Sequence, residues 1–178
     1  MPRLSDRDWL NAGLKTLAHS GFAALKAAPM AQMLGVSRGS FYWHFKDIGD
    51  FQERLLRHWQ DKTTDAIIAE LDMRQHSKER LPDLMARAYA AKPQLDNAIR
   101  VWAQNHTLAR KYVAKVDKLR IDYIVSLLIA AGLDDAKARP RARFLYAASL
   151  GDPAIAIQAA AHFHQADLED LARLLVQE

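Results

Sequence analysis

Ten residues near the start of the chain are rich in side chains that donate hydrogen bonds. The run from residue 37 to residue 46 contains these polar, aromatic and small residues: Ser37, Arg38, Gly39, Ser40, Tyr42, Trp43, His44 and Lys46. Hydroxyl, imidazole, guanidinium and ammonium groups all donate to phosphate oxygens, and a guanidinium can also pair bidentately with guanine. A glycine among them lets a partner approach the backbone closely. The chemistry of this run is therefore that of nucleic-acid binding.

The residues around this run predict that a short helix presents it. Gly35 permits a tight turn, and Ser37 stands where it can cap a helix that begins at Arg38. Phe41 and Phe45 are four residues apart, so they lie on one helical face that can anchor in a core. We predict a helix from Arg38 to about Phe45, the second half of a helix-turn-helix motif. Such a helix can enter the major groove of DNA.

Two more helices are predicted in the residues before Gly35. Ser5 and Asp8 have the spacing of a capping box, and Gly21 is placed to end the helix that they begin. Trp9 is expected at the edge of that helix. A short second helix follows, in which Pro29 is tolerated only because it lies in the first turn. The three helices would bury a small core formed by Leu14, Leu17, Met30, Leu34, Val36, Phe41 and Phe45.

The rest of the chain has helical periodicity, and its strand signals are weak. Asp47 and Asp50 mark the start of a long fourth helix that reaches Leu71. Later breaks in the pattern fall near Pro93, Gly132, Gly151–Pro153 and Gln165. Two late segments, residues 144–150 and 168–176, carry wide apolar stripes that could pair with the same helices of a second chain.

These patterns predict an all-α fold with two domains. Residues 1–46 form a three-helix helix-turn-helix DNA-binding head, which the long fourth helix joins to a helical domain in residues 47–178. The whole excess of positive charge lies in the head, since residues 1–46 hold six Lys and Arg against two Asp and the net charge is +4. This bias supports phosphate binding.

Other features of the composition exclude several classes of protein. The chain has no cysteine, so it has no disulfide, thiolate metal site or cysteine nucleophile. Its first residues lack the apolar core of a signal peptide. The most apolar run, residues 121–131, is interrupted by Asp122 and is too short to span a bilayer. We therefore expect a soluble, cytoplasmic protein that does not contact a membrane.

The segment from Gly35 to Lys46 resembles the TetR family of transcription regulators (tetracycline-repressor-like). The resemblance is dense over residues 6–60 and looser over residues 96–151. It implies an all-helical homodimer whose N-terminal heads read a palindromic double-stranded DNA operator. It also implies that the C-terminal domains dimerise and sense a small-molecule effector, with repression as the default outcome.

The resemblance also implies roles for individual residues. Four match positions that contact phosphates: Ser37, Tyr42, His44 and Lys46. Four others match positions that face the groove: Arg38, Gly39, Ser40 and Trp43. Arg38 is the candidate base contact, and a contact to phosphate alone is the alternative.

The resemblance also implies an effector pocket, and the chain differs from the family pattern at two places. A pocket for the effector would be lined by Met85, Tyr89, Trp102, His106 and Tyr123, although aromatic residues at helical spacing are also ordinary core. Lys26 stands where the family usually has Thr or Ser, so it cannot cap the second helix but can still reach a phosphate. Pro140 and the Asp152–Pro153 pair fall in the eighth helix of the family, which would start at Pro140 or be kinked there.

Two other functions are alternatives, an all-helical enzyme and a helical adaptor that binds protein. His162 and His164 are two residues apart, so on a helix they point about 200° apart and rarely share a metal. The chain contains no spacing typical of a zinc protease, a serine hydrolase or a nucleotide-binding loop. We predict no catalytic residue, metal or cofactor, and the exposed donors of the third helix argue against an adaptor.

Overall fold

The structure, a computed structural model, describes residues 4–73, 77–91, 93–151 and 164–177. All of its regular elements within these residues are helical. In chain order, the α-helices are α1 (Asp6–Ser20), α2 (Ala27–Met33), α3 (Arg38–His44), α4 (Ile48–Gln60), α5 (Ala66–Asp72), α6 (Ser77–Ala90), α7 (Gln94–Asn105), α8 (Thr107–Ala130), α9 (Asp135–Gly151) and α10 (Gln165–Val176). A 3-10 turn at Phe22–Ala24 follows α1. The predicted all-α fold is confirmed.

Local capping signals set the ends of α1. The Ser5 hydroxyl accepts a hydrogen bond from the Asp8 amide at 3.3 Å, and the Asp8 carboxylate accepts one from the Ser5 amide at 2.8 Å. This is the predicted capping box. At the other end, the Gly21 amide donates to the Leu17 carbonyl at 3.0 Å.

The turn between α2 and α3 depends on Gly35. Its φ of +67° lies in the left-handed region, which residues with a side chain rarely adopt. The turn brings the Val36 amide to 3.0 Å from the Ala31 carbonyl, and α3 begins three residues after Gly35. The predicted helix-turn-helix geometry is therefore present.

The predicted long fourth helix is present with an irregular centre. Asp47 caps α4 by accepting a hydrogen bond from the Asp50 amide at 2.8 Å. A π-helical turn at Asp61–Asp65 follows α4 and leads directly into α5. Such turns add a residue to the hydrogen-bonded ring, and they often occur at functional sites.

The described residues fall into two compact units. The first contains the described parts of residues 1–63 and 92–116, and the second those of 64–91 and 117–178. In the first unit α1 packs against α4 and α7, around a core in which Trp9, Phe41, Phe51 and Trp59 are fully buried. In the second unit α6 packs against α10, and Leu128 and Ala142 lie in the core.

Three expectations from the sequence are corrected. Trp9 is 0% exposed, at the centre of the first core instead of at a helix edge. The helix start at Pro140, one of the two alternatives, is wrong, because α9 begins at Asp135 and contains Pro140 within its length. A break that the periodicity did not indicate separates α7 from α8 at His106, where the backbone is extended. Arg110 stabilises this break by donating to the carbonyls of the last turn of α7, at 3.3 Å from Ala103 and 2.7 Å from Gln104.

Some predictions lie outside the described residues, among them those on Asp152–Pro153 and His162. Within the described ranges, the helices are all too short or too polar to cross a membrane.

Candidate nucleic-acid interface

The outward face of α3 presents large side chains to solvent. Phe41 and Phe45 are buried, which fixes the inner face of the helix. Trp43 is 81% exposed and Tyr42 is 49% exposed. Exposed aromatic rings on a basic segment are unusual for a solvated surface, and they fit a binding surface.

The side chain of Arg38 lies along α3 instead of projecting straight outward. Its guanidinium donates to the Tyr42 hydroxyl at 3.2 Å, and its central carbon is 5.7 Å from the centre of the Tyr42 ring. Residues four apart on a helix are neighbours, so this pair shares one side of α3. Trp43 and Gly39, also four apart, occupy the adjacent face.

His44 is more enclosed than an outward-facing donor, since its side chain is 13% exposed. Its Nδ1 lies 2.6 Å from a carboxylate oxygen of Asp6 at the start of α1. Because Asp6 is ionised and can only accept, Nδ1 carries the proton and Nε2 is the nitrogen left for another partner. His44 also lines a hollow of about 360 Å³ together with Ser37, Gly39, Ser40 and Trp43.

Arg54 of α4 completes this cluster. It donates to the second carboxylate oxygen of Asp6, and to the His44 carbonyl at 2.8 Å. Its guanidinium carbon lies 4.7 Å from the centre of the Phe45 ring, within the range of a cation–π contact. Three helices therefore meet at one carboxylate, and the end of α3 is held by it. The hydrogen bond from Arg54 and then that from His44 lower the pKa of Asp6 below its usual value.

Asp6→Asn should destabilise the protein at neutral pH by about 1 kcal/mol. This is less than the value of about 1.5–3 kcal/mol usual for a hydrogen bond to a charged group, because Asp6 is 46% exposed. Since folding lowers the pKa of Asp6, its stabilisation is present above the unfolded value of about 3.9 and is lost as the pH falls through the folded pKa. The variant should therefore differ from the wild type at pH 7 and converge with it at about pH 2. Urea unfolding at both pH values measures this.

A matched control is Asp122→Asn, which removes an exposed carboxylate paired with Lys118 one helical turn away. Exposed pairs of this kind contribute little, so its free energy of unfolding should stay near that of the wild type. Equal losses in the two variants, or an Asp6→Asn deficit that persists in acid, would contradict the role given to Asp6.

The remaining predicted donors lie at or near helix ends. Ser37 occupies the N-cap position of α3, but its hydroxyl makes no hydrogen bond to the amides of that helix, so the predicted side-chain cap is wrong. Lys26 has an extended backbone at the start of α2, and its side chain makes no cap bond, as its chemistry predicts. Lys46 is exposed just after α3, and its amide donates to an Asp50 carboxylate oxygen at 3.0 Å. All three residues are exposed.

A family model described as bacterial regulatory proteins of the tetR family matches residues 10–55. The matched segment contains the turn at Gly35, all of α3 and Arg54. Residues 10–55 of the chain are thus similar to the N-terminal segment of the tetR family. Its sequence-based resemblance to that family is thereby confirmed.

Solved structures of transcriptional regulators have a similar fold over nearly the whole chain. A transcriptional regulator from Rhodococcus sp. Rha1 has a TM-score of 0.75 and 21% identity, with 97% of this chain and 94% of that one covered. A TetR transcriptional regulator from Legionella pneumophila has a TM-score of 0.76 and 12% identity, with 99% and 100% covered. A regulator from Saccharomonospora viridis, solved in complex with choline, has a TM-score of 0.73 and 16% identity, with 96% and 94% covered. At these identities the likeness concerns the fold. No curated protein is similar enough in sequence to count as a match.

The residues predicted to line an effector pocket are divided between the two units. Trp102 and His106 lie in the first unit, where their ring centroids are 5.3 Å apart. Met85, Tyr89 and Tyr123 belong to the second unit. The Tyr123 hydroxyl donates to an Asp72 carboxylate oxygen at 3.0 Å, and burial followed by this bond raises the pKa of Tyr123 to about 12.

Sequence reasoning missed Asp6 and Arg54. They lie 38 residues before His44 and 10 residues after it. An aspartate in the first turn of a helix is explained by its favourable interaction with the helix dipole. An arginine in α4 is explained as a solvated surface charge. No local pattern distinguishes them from such residues. Among the described residues, no group of three or more His, Asp or Glu side chains is arranged to hold a metal ion.

Proposed function

We propose that this protein is a transcriptional repressor of the tetR family that binds a palindromic DNA operator as a homodimer and is released by a small-molecule effector. The observation that carries the DNA-binding part is the outward face of α3, where Trp43 is 81% exposed and Tyr42 is 49% exposed. A solvent-facing tryptophan on a short helix after a tight turn fits insertion into a major groove.

Contacts to the backbone of the duplex are assigned to the edges of α3. Ser37 and Lys46 lie at its two ends, and Tyr42 lies on one side with Arg38 against it. The Arg38–Tyr42 hydrogen bond favours a phosphate role for Arg38, because it draws the guanidinium away from the outermost face. His44 would donate from Nε2, with its ring oriented by Asp6.

Base contacts are assigned to the outermost face of α3. Trp43 can pack on a thymine methyl group, and Ser40 can donate to or accept from a base edge. Gly39 has no side chain, so a base pair can approach the helix backbone there. All three line the hollow beside α3.

Lys46→Ala should weaken binding to every DNA sequence by a similar factor, because an ammonium on a phosphate carries no sequence information. The slope of log affinity against log salt should fall by about one unit for each subunit. Fluorescence anisotropy with a selected operator and an unrelated duplex, each over a range of salt concentrations, measures both effects. Lys118→Ala, which removes an exposed lysine of α8, is the control of equal charge. An unchanged slope for Lys46→Ala, or an equal change for Lys118→Ala, would remove Lys46 from the phosphate contacts.

Homodimerisation is assigned to α9 and α10. On α9, Phe144 is 72% exposed, and Pro140 and Ala147 lie exposed one turn to either side. On α10, Leu174 is 62% exposed. Exposed apolar side chains on both of the last helices support pairing with a second copy. A two-fold dimer would present its two copies of α3 to half-sites about 34–36 Å apart, or somewhat more.

Phe144→Arg should convert the dimer to a monomer, because it places two charges in an apolar interface related by a two-fold axis. Light scattering at micromolar concentration should report 20.1 kDa for the variant and twice that mass for the wild type. Affinity for a palindromic operator should fall by at least about tenfold as the second half-site is lost. Val101→Arg, at an exposed position of α7, is the control and should remain dimeric. A wild-type monomer, or a dimeric Phe144→Arg, would contradict this assignment.

Release by an effector is assigned to a change carried by α4. The π-helical turn at Asp61–Asp65 interrupts the regular hydrogen bonding at the end of this helix, so it is a place where two registers can be close in energy. An effector weakens DNA binding only by its differential affinity for the two states. The choline bound by the Saccharomonospora viridis regulator supports a small-molecule site in this fold.

A further inference from the structure

A cavity of about 380 Å³ lies in the first unit, between the C-terminal end of α1 and residues 98–105 of α7. Its lining is mainly apolar and contains no carboxylate: Leu17, Ala18, Gly21, Phe22, Ala98, Val101, Trp102, Asn105 and His106. The volume is in the range of sites for small molecules. None of these residues belongs to α3 or to its hollow.

Three aromatic rings form one wall of this cavity. Phe22 stacks on Trp102 with ring centroids 4.7 Å apart and planes inclined by 17°. His106 is tilted against both rings, at 5.5 Å from Phe22 and 5.3 Å from Trp102. A wall of stacked rings favours a flat, unsaturated ligand that can extend the stack.

Two buried nitrogens of this wall lack partners within the part of the chain that the structure describes. They are Nε1 of Trp102, whose side chain is only 3% exposed, and Nδ1 of His106. An indole N–H can only donate, so Trp102 requires an acceptor. Trp59 meets the same need by donating to an Asp96 carboxylate oxygen at 2.8 Å. Trp9 Nε1 is also without a partner in the described residues, but Trp9 does not line the cavity.

We propose that this cavity binds a small planar aromatic molecule whose ring packs against Phe22 and whose carboxylate or carbonyl oxygen accepts from Trp102 Nε1. Because this nitrogen is buried in the structure, binding requires the indole to shift toward the cavity. The molecule acts as an effector, a role that rests on the proposed function. A cationic ligand is disfavoured because no acidic side chain lines the cavity. The ligand would contact the last turn of α1, the helix whose first turn holds His44 through Asp6. Its effect on DNA binding would therefore begin at α1, which packs against α4 within the first unit.

The experiment uses the full-length protein and three simple probes. Benzoate carries a planar ring and a carboxylate, benzamide a planar ring and a neutral carbonyl, and cyclohexanecarboxylate a carboxylate without planarity. We expect benzoate or benzamide to bind with a millimolar or lower Kd by isothermal titration calorimetry, and cyclohexanecarboxylate to bind more weakly. The better of the two aromatic probes identifies the acceptor as charged or neutral.

Two variants test the site, and one serves as a control. Trp102→Phe keeps a ring but removes the N–H, so it should weaken the Kd by about 3- to 10-fold, the worth of one hydrogen bond. Ala98→Leu fills part of the cavity and should abolish binding, and it remains informative if Trp102→Phe does not fold. Ala130→Leu adds the same side chain as Ala98→Leu at an exposed position of α8, outside the cavity, and should bind the probes as the wild type does. Circular dichroism melts establish which variants are folded.

The outcomes separate the two proposals. If the protein binds operator DNA but no probe, or if Ala98→Leu binds as tightly as the wild type, the site proposed here is overturned and the DNA-binding function stands. If aromatic probes bind with the expected variant profile but the protein binds no DNA, the site stands and the proposed function fails. If probes bind without changing operator affinity, the effector role is overturned. Equal affinity for cyclohexanecarboxylate would overturn the requirement for a planar ring.

Discussion

Phe41→Ala is expected to destabilise the first unit by about 3–5 kcal/mol, the usual cost of removing a large buried ring. Phe41 is 0% exposed, and its ring centroid lies 5.5 Å from that of Trp9, 5.1 Å from that of Phe45 and 5.4 Å from that of Phe51. The substitution leaves a cavity where residues of α1, α3 and α4 meet. Since a domain of this size has a stability of about 5–15 kcal/mol, the loss should be visible as a large fall in the urea midpoint.

The neighbouring Tyr42→Ala provides the contrast for Phe41→Ala. Tyr42 is 49% exposed, so Tyr42→Ala should lower the free energy of unfolding much less than Phe41→Ala does. It should nevertheless weaken DNA binding, because Tyr42 is assigned to a phosphate. Phe41→Ala should lose DNA binding only to the extent that α3 is unfolded. A stable Phe41→Ala protein, or a Tyr42→Ala protein that is equally destabilised, would contradict the division of α3 into an inner and an outer face.

Gly13→Val is expected to destabilise the same unit by about 2–3 kcal/mol through overpacking. A Cβ atom at Gly13 would lie 2.7 Å from Cζ of Phe51 and 2.9 Å from Cδ1 of Leu55, both fully buried in α4. Glycine lowers the intrinsic stability of a helix by about 1 kcal/mol relative to alanine, so its presence in α1 reflects the close approach of α4. Chemical denaturation monitored by circular dichroism measures the loss.

A double-mutant cycle assigns this loss to the contact with Phe51. Phe51→Ala alone should cost about 3–5 kcal/mol, because it leaves a cavity in the same place. The valine methyl groups can occupy part of that cavity, so the double variant should be more stable than the sum of the two losses predicts. Gly151→Val is the control, since a Cβ atom there meets no atom of the described residues within 4 Å. Additive losses in the cycle would place the clash elsewhere.

The helix boundaries of the head could be predicted because their signals are local. The Ser5–Asp8 box, the turn at Gly35 and the Asp47 cap each involve residues within about four positions of one another, and each is present as predicted. The same kind of local signal predicts that α3 exposes one face to solvent. The spacing of Phe41 and Phe45 fixes which side of it faces inward.

The errors arose where helices contact more than one neighbour. Periodicity assigns one buried stripe to α1, which places Trp9 at its margin, but α1 packs against both α4 and α7 and Trp9 is enclosed. In the same way, His44 was predicted on the outward face, whereas Asp6 and Arg54 enclose it from two other helices. These contacts join residues 38 and 48 positions apart, and no pattern within one helix encodes them. The functional roles of the outward donors stay predictions.

The core of the first unit is closed by a segment that returns from far along the chain. Ile99, Trp102 and Ala103 of α7 lie in one hydrophobic cluster with Leu17 of α1 and Phe41 of α3. A polypeptide that ended after α4 would leave this cluster open to water. We therefore expect that residues 1–60 do not fold as an independent unit. Ribosomal synthesis must also pass residue 103 before the cluster can close, which delays maturation of the head until most of the chain has emerged.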